Sequence, residues 1–389
     1  MADTHYCRSI LTYGMREGEK CGVRAKYPVD NPTFCGKHYR GNVNPTVCAA
    51  PQQVVKKETI QRIGTVEQLL AENPSRSVWS VIIEQNTYDK ILFQKVMNRQ
   101  IAKKEFKTLA SERFLGQWNW SMDSFNIRAP AYLCKHACFY CYIGVMFRRF
   151  GRVCKTPSIE EPMPVNQKSI DTVWSKAANS KRKMMFFPSS SDIFAENMRD
   201  YVSVCRKIID AGHEILFITK ASMASITAFV REFEQQMQPI DNYKPKIVIF
   251  ITVTTNVDAI LRKFEPYAPL YQERIGAIIH LIEHRFNVNV IIEPYLSDPI
   301  AIIQEVEPIL HNHGGIITVG QMNYTAAMML NRDPAKDKEL KDYLAELYSP
   351  ANIIRLWKFA EDKPNIFLKK DSVGALLKTI SPQNEAPQA

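Results

Sequence analysis

The sequence lacks any apolar run that approaches the roughly 18 residues required for a membrane-spanning helix. It also lacks the apolar core of a secretory signal peptide, because residues 1–6 contain no apolar run. No internal repeat is present, and nothing in the composition is typical of a collagen-like or fibrous chain. We therefore expect a cytoplasmic protein with no membrane partner.

The composition is typical of a folded globular protein, with 46% hydrophobic and 23% charged residues in a chain of 389. An excess of 50 Lys and Arg over 40 Asp and Glu gives a formal net charge of +10. This excess favours polyanionic partners but does not by itself identify a nucleic acid. In a reducing compartment, the nine cysteines favour metal binding or catalysis over disulfides.

Four regions of different composition predict the domain organisation. Residues 1–50 contain four of the nine cysteines and are too few to build a hydrophobic core of their own. Residues 51–125 are interpreted as a basic helical connector, and residues 126–330 alternate short apolar runs with helical stretches. Residues 331–389 form a C-terminal segment with a polar tail that is predicted to be disordered.

The alternation predicts an α/β fold with a parallel sheet, closed in part into a (β/α) barrel. Functional side chains are then expected after the carboxyl ends of the strands. The predicted strands lie within Lys183–Phe187, Glu214–Thr219, Lys246–Val253, Val288–Glu293 and Gly315–Val319.

Three cysteines form a Cys-x3-Cys-x2-Cys motif at Cys134, Cys138 and Cys141, where the first strand is expected to end. Thiolates suit zinc or iron–sulfur clusters, and a cubane cluster normally takes four cysteines. A loop with three cysteines therefore leaves one iron open to a substrate or cofactor. The alternatives are a zinc site completed by His136 or Cys154, or free buried cysteines.

The motif, with Tyr140 before its third cysteine, resembles the signature of the radical SAM enzymes. This resemblance implies a partial barrel whose three cysteines hold a [4Fe-4S] cluster. It also implies S-adenosylmethionine (SAM) as cofactor, cleavage to a 5′-deoxyadenosyl radical, and an electron donor such as flavodoxin or ferredoxin. In such enzymes the protein supplies orientation and a dry pocket for the chemistry of the cofactor.

Motifs over residues 129–298 resemble spore photoproduct lyase and its relatives, which act on thymine-derived lesions in DNA. The motifs are Cys138–Tyr142, Ser189–Asp192, Thr219-Lys220, Thr254–Asn256, Phe264–Pro266 and Glu273-Arg274. The resemblance implies SAM contacts at Tyr140, Ser190, Lys220, Thr254 and Asn256. For the strand-end residues the alternative is helix capping, a common use of Ser, Thr and Asn.

Ser189 departs from the lyase pattern, which has a cysteine at this position as hydrogen-atom donor. A serine hydroxyl donates hydrogen atoms poorly, and neither Cys154, Cys205 nor Tyr295 lies at the matching position. An isomerisation avoids this difficulty, since 5′-deoxyadenosine itself can return the hydrogen. The leading hypothesis is therefore modification or rearrangement of a thymine-derived base, as in the hypermodification of bacteriophage DNA. A viral chain would act in the host cytoplasm, on a flipped or single-stranded base.

A second cysteine set, Cys7, Cys21, Cys35 and His38, matches the ligands of a structural zinc site. A closed zinc site would fold a segment that has no core, so residues 1–50 are predicted to form a small zinc-binding module. The alternative is four unlinked residues in a loose segment.

Basic residues lie near the cysteine loop and at the start of the predicted strand Lys183–Phe187. They could bind DNA phosphates, or they could form a solvated surface. These residues are Arg148, Arg149, Arg152, Lys155 and Lys181–Lys183. Three other functions remain open: a DNA-repair lyase, a radical SAM enzyme with an RNA or protein substrate, and a non-catalytic metal-containing nucleic-acid-binding protein.

Overall fold

The computed structural model describes residues 66–110, 122–151, 154–180, 184–220, 222–322 and 334–379, with the strand backbones at 6–10 and 20–24. Contacts divide the chain into two compact units, Met1–Ile60 and Gln61–Ala389. The four regions expected from the sequence stay predictions. None of the described helices combines the length and the apolarity needed to cross a membrane.

The first unit contains an antiparallel pair of strands, β1 (Tyr6–Ile10) and β2 (Lys20–Arg24). Their register places the backbone of Cys7 opposite that of Cys21. Cys35 and His38, like the side chains of Cys7 and Cys21, lie outside the described residues. The structural zinc ion therefore stays a prediction.

The second unit is built on one sheet of seven parallel strands whose spatial order follows the sequence. The strands are β3 (Met122–Ser124), β4 (Met184–Phe186), β5 (Glu214–Thr219), β6 (Ile247–Thr252), β7 (Asn287–Ile292), β8 (Ile317–Val319) and β9 (Ile366–Leu368). Helices connect most of the successive strands, as in the strand–helix repeats that build parallel sheets. The predicted α/β fold is confirmed, and all five predicted strands are present.

The helices of this unit alternate with the strands and continue beyond them at both ends. They are α1 (Val66–Glu72), α2 (Val78–Met97), α3 (Lys103–Leu109), α4 (Tyr142–Arg149), α5 (Gln167–Asn179), α6 (Met198–Asp210), α7 (Met223–Gln236), α8 (Ile240–Tyr243), α9 (Asp258–Phe264), α10 (Tyr271–Glu283), α11 (Pro299–His311), α12 (Pro334–Leu347), α13 (Pro350–Ala360) and α14 (Lys370–Thr379). Several begin at side-chain caps, as at Asn166 before α5, Ser222 before α7 and Asp298 before α11.

The central strands are buried on both faces, as expected for a parallel sheet covered by helices. All six residues of β6, Ile-Val-Ile-Phe-Ile-Thr, are buried, and β7 is buried except at its first residue. The first strand differs from expectation because β3 ends at Ser124, well before Cys134. The intervening chain instead forms isolated bridges, from Arg128 to Val165 and from Tyr132 to Lys155.

Helix α2 lies across the amino ends of the strands and belongs to the core of this unit. At its first turn, the Glu214 carboxylate at the start of β5 accepts hydrogen bonds from the Ser77 hydroxyl and from the backbone N–H groups of Val78 and Trp79, at 3.0 to 3.1 Å. Two turns before its end, buried Lys90 donates to backbone carbonyls at the end of α13 and the start of β9. The helix is therefore tied to both sides of the sheet.

We expect Glu214→Ala to lower the free energy of unfolding by about 2–4 kcal/mol. The substitution leaves three buried donors without an acceptor and removes a negative charge from the amino end of α2. Urea denaturation followed by circular dichroism measures the loss. Glu339→Ala, which removes an exposed carboxylate paired with Lys263, is the control and should change the free energy by less than about 0.5 kcal/mol. Equal losses in the two variants would contradict the role of Glu214.

Candidate active site and metal centre

The three cysteines lie on a compact loop made of two consecutive turns before α4. The backbone N–H of Ala137 donates to the Cys134 carbonyl at 3.2 Å, and that of Cys141 donates to the Cys138 carbonyl at 3.1 Å. Ala137 takes a left-handed conformation, with φ of 51°. The loop is joined to the end of α9 by a bond from Phe139 N–H to the Phe264 carbonyl at 2.8 Å.

A cavity of about 160 Å³ separates this loop from the carboxyl ends of the strands. Cys134 and Cys138 line one side of it, and residues from the ends of β4, β5 and β6 line the other. Ser190 and Lys220, two of the predicted SAM contacts, are among these residues, and so is Ser189. The structure thus brings the cysteine motif together with strand-end residues far from it in sequence, as expected for this class of sheet.

Asp192 joins three segments around the cavity. Its carboxylate lies 3.2 Å from Nδ1 of His136 in the cysteine loop. It also accepts hydrogen bonds from the Thr219 hydroxyl and, at 2.8 Å, from the backbone N–H of both Lys220 and Ile193. Burial opposes the charge, but the bonds from His136 and Thr219 and the nearby Lys220 outweigh it and lower the pKa of Asp192 to about 2.

A second buried carboxylate, Glu265, joins the loop to the far side of the sheet. It accepts from the Tyr140 hydroxyl, from the Thr254 hydroxyl at 2.6 Å, and from the Arg274 guanidinium. The side chains of Glu265 and Arg274 have no solvent exposure. Burial again opposes the charge, but Arg274 and Lys220 outweigh it and lower the pKa of Glu265 to about 2.

Lys220 is the cation nearest to the cysteines in this network. Its Nζ atom lies 5.4 Å from the centre of the Tyr140 ring. Burial disfavours its charge, but Cys138 and Glu265 outweigh this and raise the pKa of Lys220. Burial raises the pKa of the Cys138 thiol, and Lys220 opposes the rise. Burial also raises the pKa of Cys134 to about 12, although backbone N–H groups of His136 and Asp192 favour its thiolate.

The other predicted SAM contacts occupy different places. The hydroxyls of Tyr140 and Thr254 are both bonded to Glu265, and Thr254 is fully buried. Asn256 donates to the Glu305 carboxylate in α11 at 2.9 Å. None of these three lines the cavity, and their contact with a cofactor stays a prediction. Sequence reasoning assigned no role to Asp192, Glu265 or Arg274, although each lies in a motif quoted for the resemblance.

Ser189 lies in the cavity wall at the position where the lyase pattern has a cysteine. Its backbone N–H donates to the Phe125 carbonyl at 2.9 Å, and its carbonyl accepts from the Tyr142 hydroxyl. No thiol of Cys154 or Cys205 lines this cavity. Among the described residues, the space opposite Cys134 is therefore lined by hydroxyl groups at residues 189–191.

Within the described ranges, no three His, Cys, Asp or Glu side chains group closely enough to hold one metal ion. His136 is bonded to Asp192, and Cys154 Sγ lies 3.8 Å from the Pro130 carbonyl. Cys134, Cys138 and Cys141 are the residues that would hold an iron–sulfur cluster, with the half-buried Lys220 beside Cys138. The cluster and the alternative zinc site both stay predictions.

Most of the basic residues expected to bind DNA phosphates lie outside the residues that the structure describes. The side chains of Arg148 and Arg149, and residues 152 and 181–183, are not among the described parts, while Lys155 is exposed. Among nearby aromatic residues, Phe139 packs on Phe264 with ring centres 6.0 Å apart, while Tyr142 and Phe150 are exposed. The DNA-binding face stays a prediction.

We expect Arg274→Met to lower the free energy of unfolding by roughly 3–5 kcal/mol, because it removes the cation that pairs directly with the buried Glu265 carboxylate. Arg231→Met, at a position whose side chain is 62% exposed, is the control and should have little effect. Thermal or urea unfolding at neutral pH measures the free energy of unfolding of each variant relative to wild type. Similar losses in both variants would show that the buried pair is dispensable.

Acid should destabilise the protein through Glu265. Its pKa is about 2 in the folded protein and 4.5 as the ordinary value, so the unfolded chain binds more protons between these limits. The stabilisation is complete above about pH 4.5 and decreases as the pH falls toward 2. In Glu265→Gln, urea unfolding across this range should show a shallower pH dependence than in wild type. An unchanged slope would refute the assignment.

No protein-family model matches this chain, and no curated protein matches it. Among solved structures, spore photoproduct lyase complexed with dinucleoside spore photoproduct aligns over 62% of this chain and 75% of its own, at 12% identity and a TM-score of 0.40. A mutant of spore photoproduct lyase aligns over 59% of this chain and 72% of its own, at 12% identity and a TM-score of 0.37. Both belong to the family that the sequence motifs resemble.

Proposed function

We propose that this chain is a radical SAM enzyme that modifies or rearranges a thymine-derived base in DNA. Cys134, Cys138 and Cys141 would hold a [4Fe-4S] cluster, and SAM would bind in the cavity beside them. The observation that carries the proposal is the meeting of this loop with Ser190 and Lys220 at one cavity on the carboxyl edge of the sheet. When bound, the cluster supplies the electron that cleaves SAM to methionine and a 5′-deoxyadenosyl radical.

The residues of the chain perform three tasks in this reaction. The three thiolates would bind iron, and Lys220 offsets the negative charge of the Cys138 sulfur. Asp192 and Glu265 hold the cysteine loop against the strand ends, which keeps the cavity wall in place. The three cysteines are half-buried, which limits the access of water to a radical formed beside them.

Ser189 supports an isomerase or base-modifying reaction over a repair lyase. The substrate loses a hydrogen atom to the 5′-deoxyadenosyl radical, and its product radical needs one hydrogen atom in return. Ser189 presents an O–H bond, which donates a hydrogen atom poorly, at the wall of the cavity. Return of the hydrogen from 5′-deoxyadenosine balances the reaction without a protein thiol.

DNA is proposed as the substrate on the net charge of +10 and on the motif resemblance. A base within a duplex cannot reach a cavity at the end of a barrel, so the target base would be flipped or single-stranded. Hypermodification of bacteriophage DNA is the specific setting we propose, with flavodoxin or ferredoxin as electron donor in the host cytoplasm. A structural zinc ion in residues 1–50 completes the proposal.

The first experiment tests the radical chemistry. After anaerobic reconstitution, we expect close to four irons and four sulfides per chain at the loop. Reduction in the presence of SAM should yield 5′-deoxyadenosine, and Cys138→Ala should lower this yield at least 100-fold. Cys205→Ala removes a buried cysteine of α6 that does not line the cavity, and it should retain the yield. Zinc alone, without cluster or SAM cleavage, would leave a non-catalytic nucleic-acid-binding protein.

The second experiment tests the substrate. Single-stranded DNA that carries deuterated thymine or a modified thymine should transfer deuterium to 5′-deoxyadenosine, with binding that weakens as salt rises. Mass spectrometry of the digested DNA should show a changed or rearranged base. Release of unmodified thymine from irradiated DNA would instead identify a repair lyase. Turnover of free nucleosides only, or of RNA or protein only, would refute a DNA substrate.

A further inference from the structure

Arg128 connects the two ends of the cysteine loop. Its Nη1 donates to the carbonyl of Ala129 at 3.0 Å and to that of Tyr132, two residues before Cys134. On its other side, the guanidinium carbon lies 5.2 Å from the centre of the Phe147 ring in α4, the helix that follows the loop. The guanidinium therefore lies beside both the entry and the exit of the loop.

One donor of Arg128 has no acceptor. Its Nε atom is buried and makes no hydrogen bond within the described part of the chain. A buried donor without an acceptor is unfavourable, and a bound group that accepts from it is one physical reason for such a donor to be retained. This orphaned N–H belongs to a side chain whose guanidinium contacts lie at Ala129, Tyr132 and Phe147, on the two flanks of the cysteine loop.

The negative groups around Arg128 are mainly sulfurs. Burial lowers the pKa of Arg128, and the thiolates of Cys154, Cys134 and Cys141 oppose this effect. Two of the three are proposed ligands of the cluster. An iron–sulfur cluster offers the acceptor that is missing, because its sulfides and thiolates accept N–H hydrogen bonds.

We propose that Arg128 donates its Nε hydrogen to a sulfur of the cluster or of its cysteine ligands and thereby raises the reduction potential of the cluster. The inference rests on the proposed function and deepens it. A reduced cluster carries one more negative charge than an oxidised one, so an adjacent cation and N–H donor stabilise the reduced form more. Arg128 is a positioning residue in this role, since it acts on the cluster rather than on the substrate.

The test is a redox titration of the anaerobically reconstituted full chain, monitored by electron paramagnetic resonance. At a fixed potential, Arg128→Met should lower the ratio of reduced to oxidised cluster at least tenfold, a shift of about 59 mV for one electron. Arg128→Lys keeps the charge and should shift less. The control, Arg231→Met, removes an exposed arginine and should leave the potential unchanged. A full cluster with an unchanged potential in Arg128→Met would overturn the proposal.

A second measurement does not require a variant that retains its cluster. Wild-type protein labelled with ¹⁵N in its arginine side chains should show a ¹⁵N coupling to the reduced cluster in pulsed electron paramagnetic resonance. Arg231→Met should retain this coupling and Arg128→Lys should lose it. Absence of the coupling in labelled wild type with a full cluster would refute the role of Arg128. Failure of wild type to bind any cluster would instead refute the proposed function itself.

Discussion

The buried carboxylate of Glu265 is the constraint on which the site depends. A charge without solvent exposure is stable only when several partners surround it, and Glu265 draws these from three places: Tyr140 in the cysteine loop, Thr254 after β6, and Arg274 in α10. Because the Glu265 carboxylate needs the hydrogen bond from Tyr140, it fixes the position of the cysteine loop over the carboxyl edge of the sheet. The backbone bond between Phe139 and Phe264 reinforces the same placement.

Asp192 performs the equivalent task on the other side of the cavity. Its partners come from the loop, from its own segment after β4 and from the end of β5. The two carboxylates hold the loop at both ends of a short stretch, from His136 to Tyr140, so the cysteines between and beside these residues have little freedom. Lys220 lies among these groups and acts on both Glu265 and the Cys138 sulfur. Structural anchoring and the electrostatics of the proposed cluster are therefore the work of the same residues.

The helices outside the strand repeat make tertiary contacts that sequence patterns did not predict. Residues 51–125 were interpreted as a basic helical connector, which stays a prediction, and within them α2 packs its long buried face along the amino ends of the strands. Local composition cannot reveal this packing, because Glu214 and the carbonyls that accept from Lys90 are far from α2 in the sequence. The packing of α12 was likewise not predicted: its Leu340 and Leu344 pack with Phe264, Leu296 and Met322 beside the cysteine loop. Strands β3 and β9 were not predicted; β3, Met-Asp-Ser, has two exposed residues of three and no apolar run that would mark it as a strand.

The amino-acid sequence by itself determined the α/β class, five of the seven parallel strands and the position of the cysteine loop before β4, because apolar runs and cysteine spacing are local patterns. The motif resemblance also indicated Ser190 and Lys220, which lie in the segments after β4 and β5. Only the tertiary structure decided that Thr254 and Tyr140 bind Glu265, that His136 pairs with Asp192, and that Arg128 retains an unpaired buried donor. The physical reason is that a buried polar group takes whichever partner the packing brings near it, and that partner is rarely a neighbour in sequence.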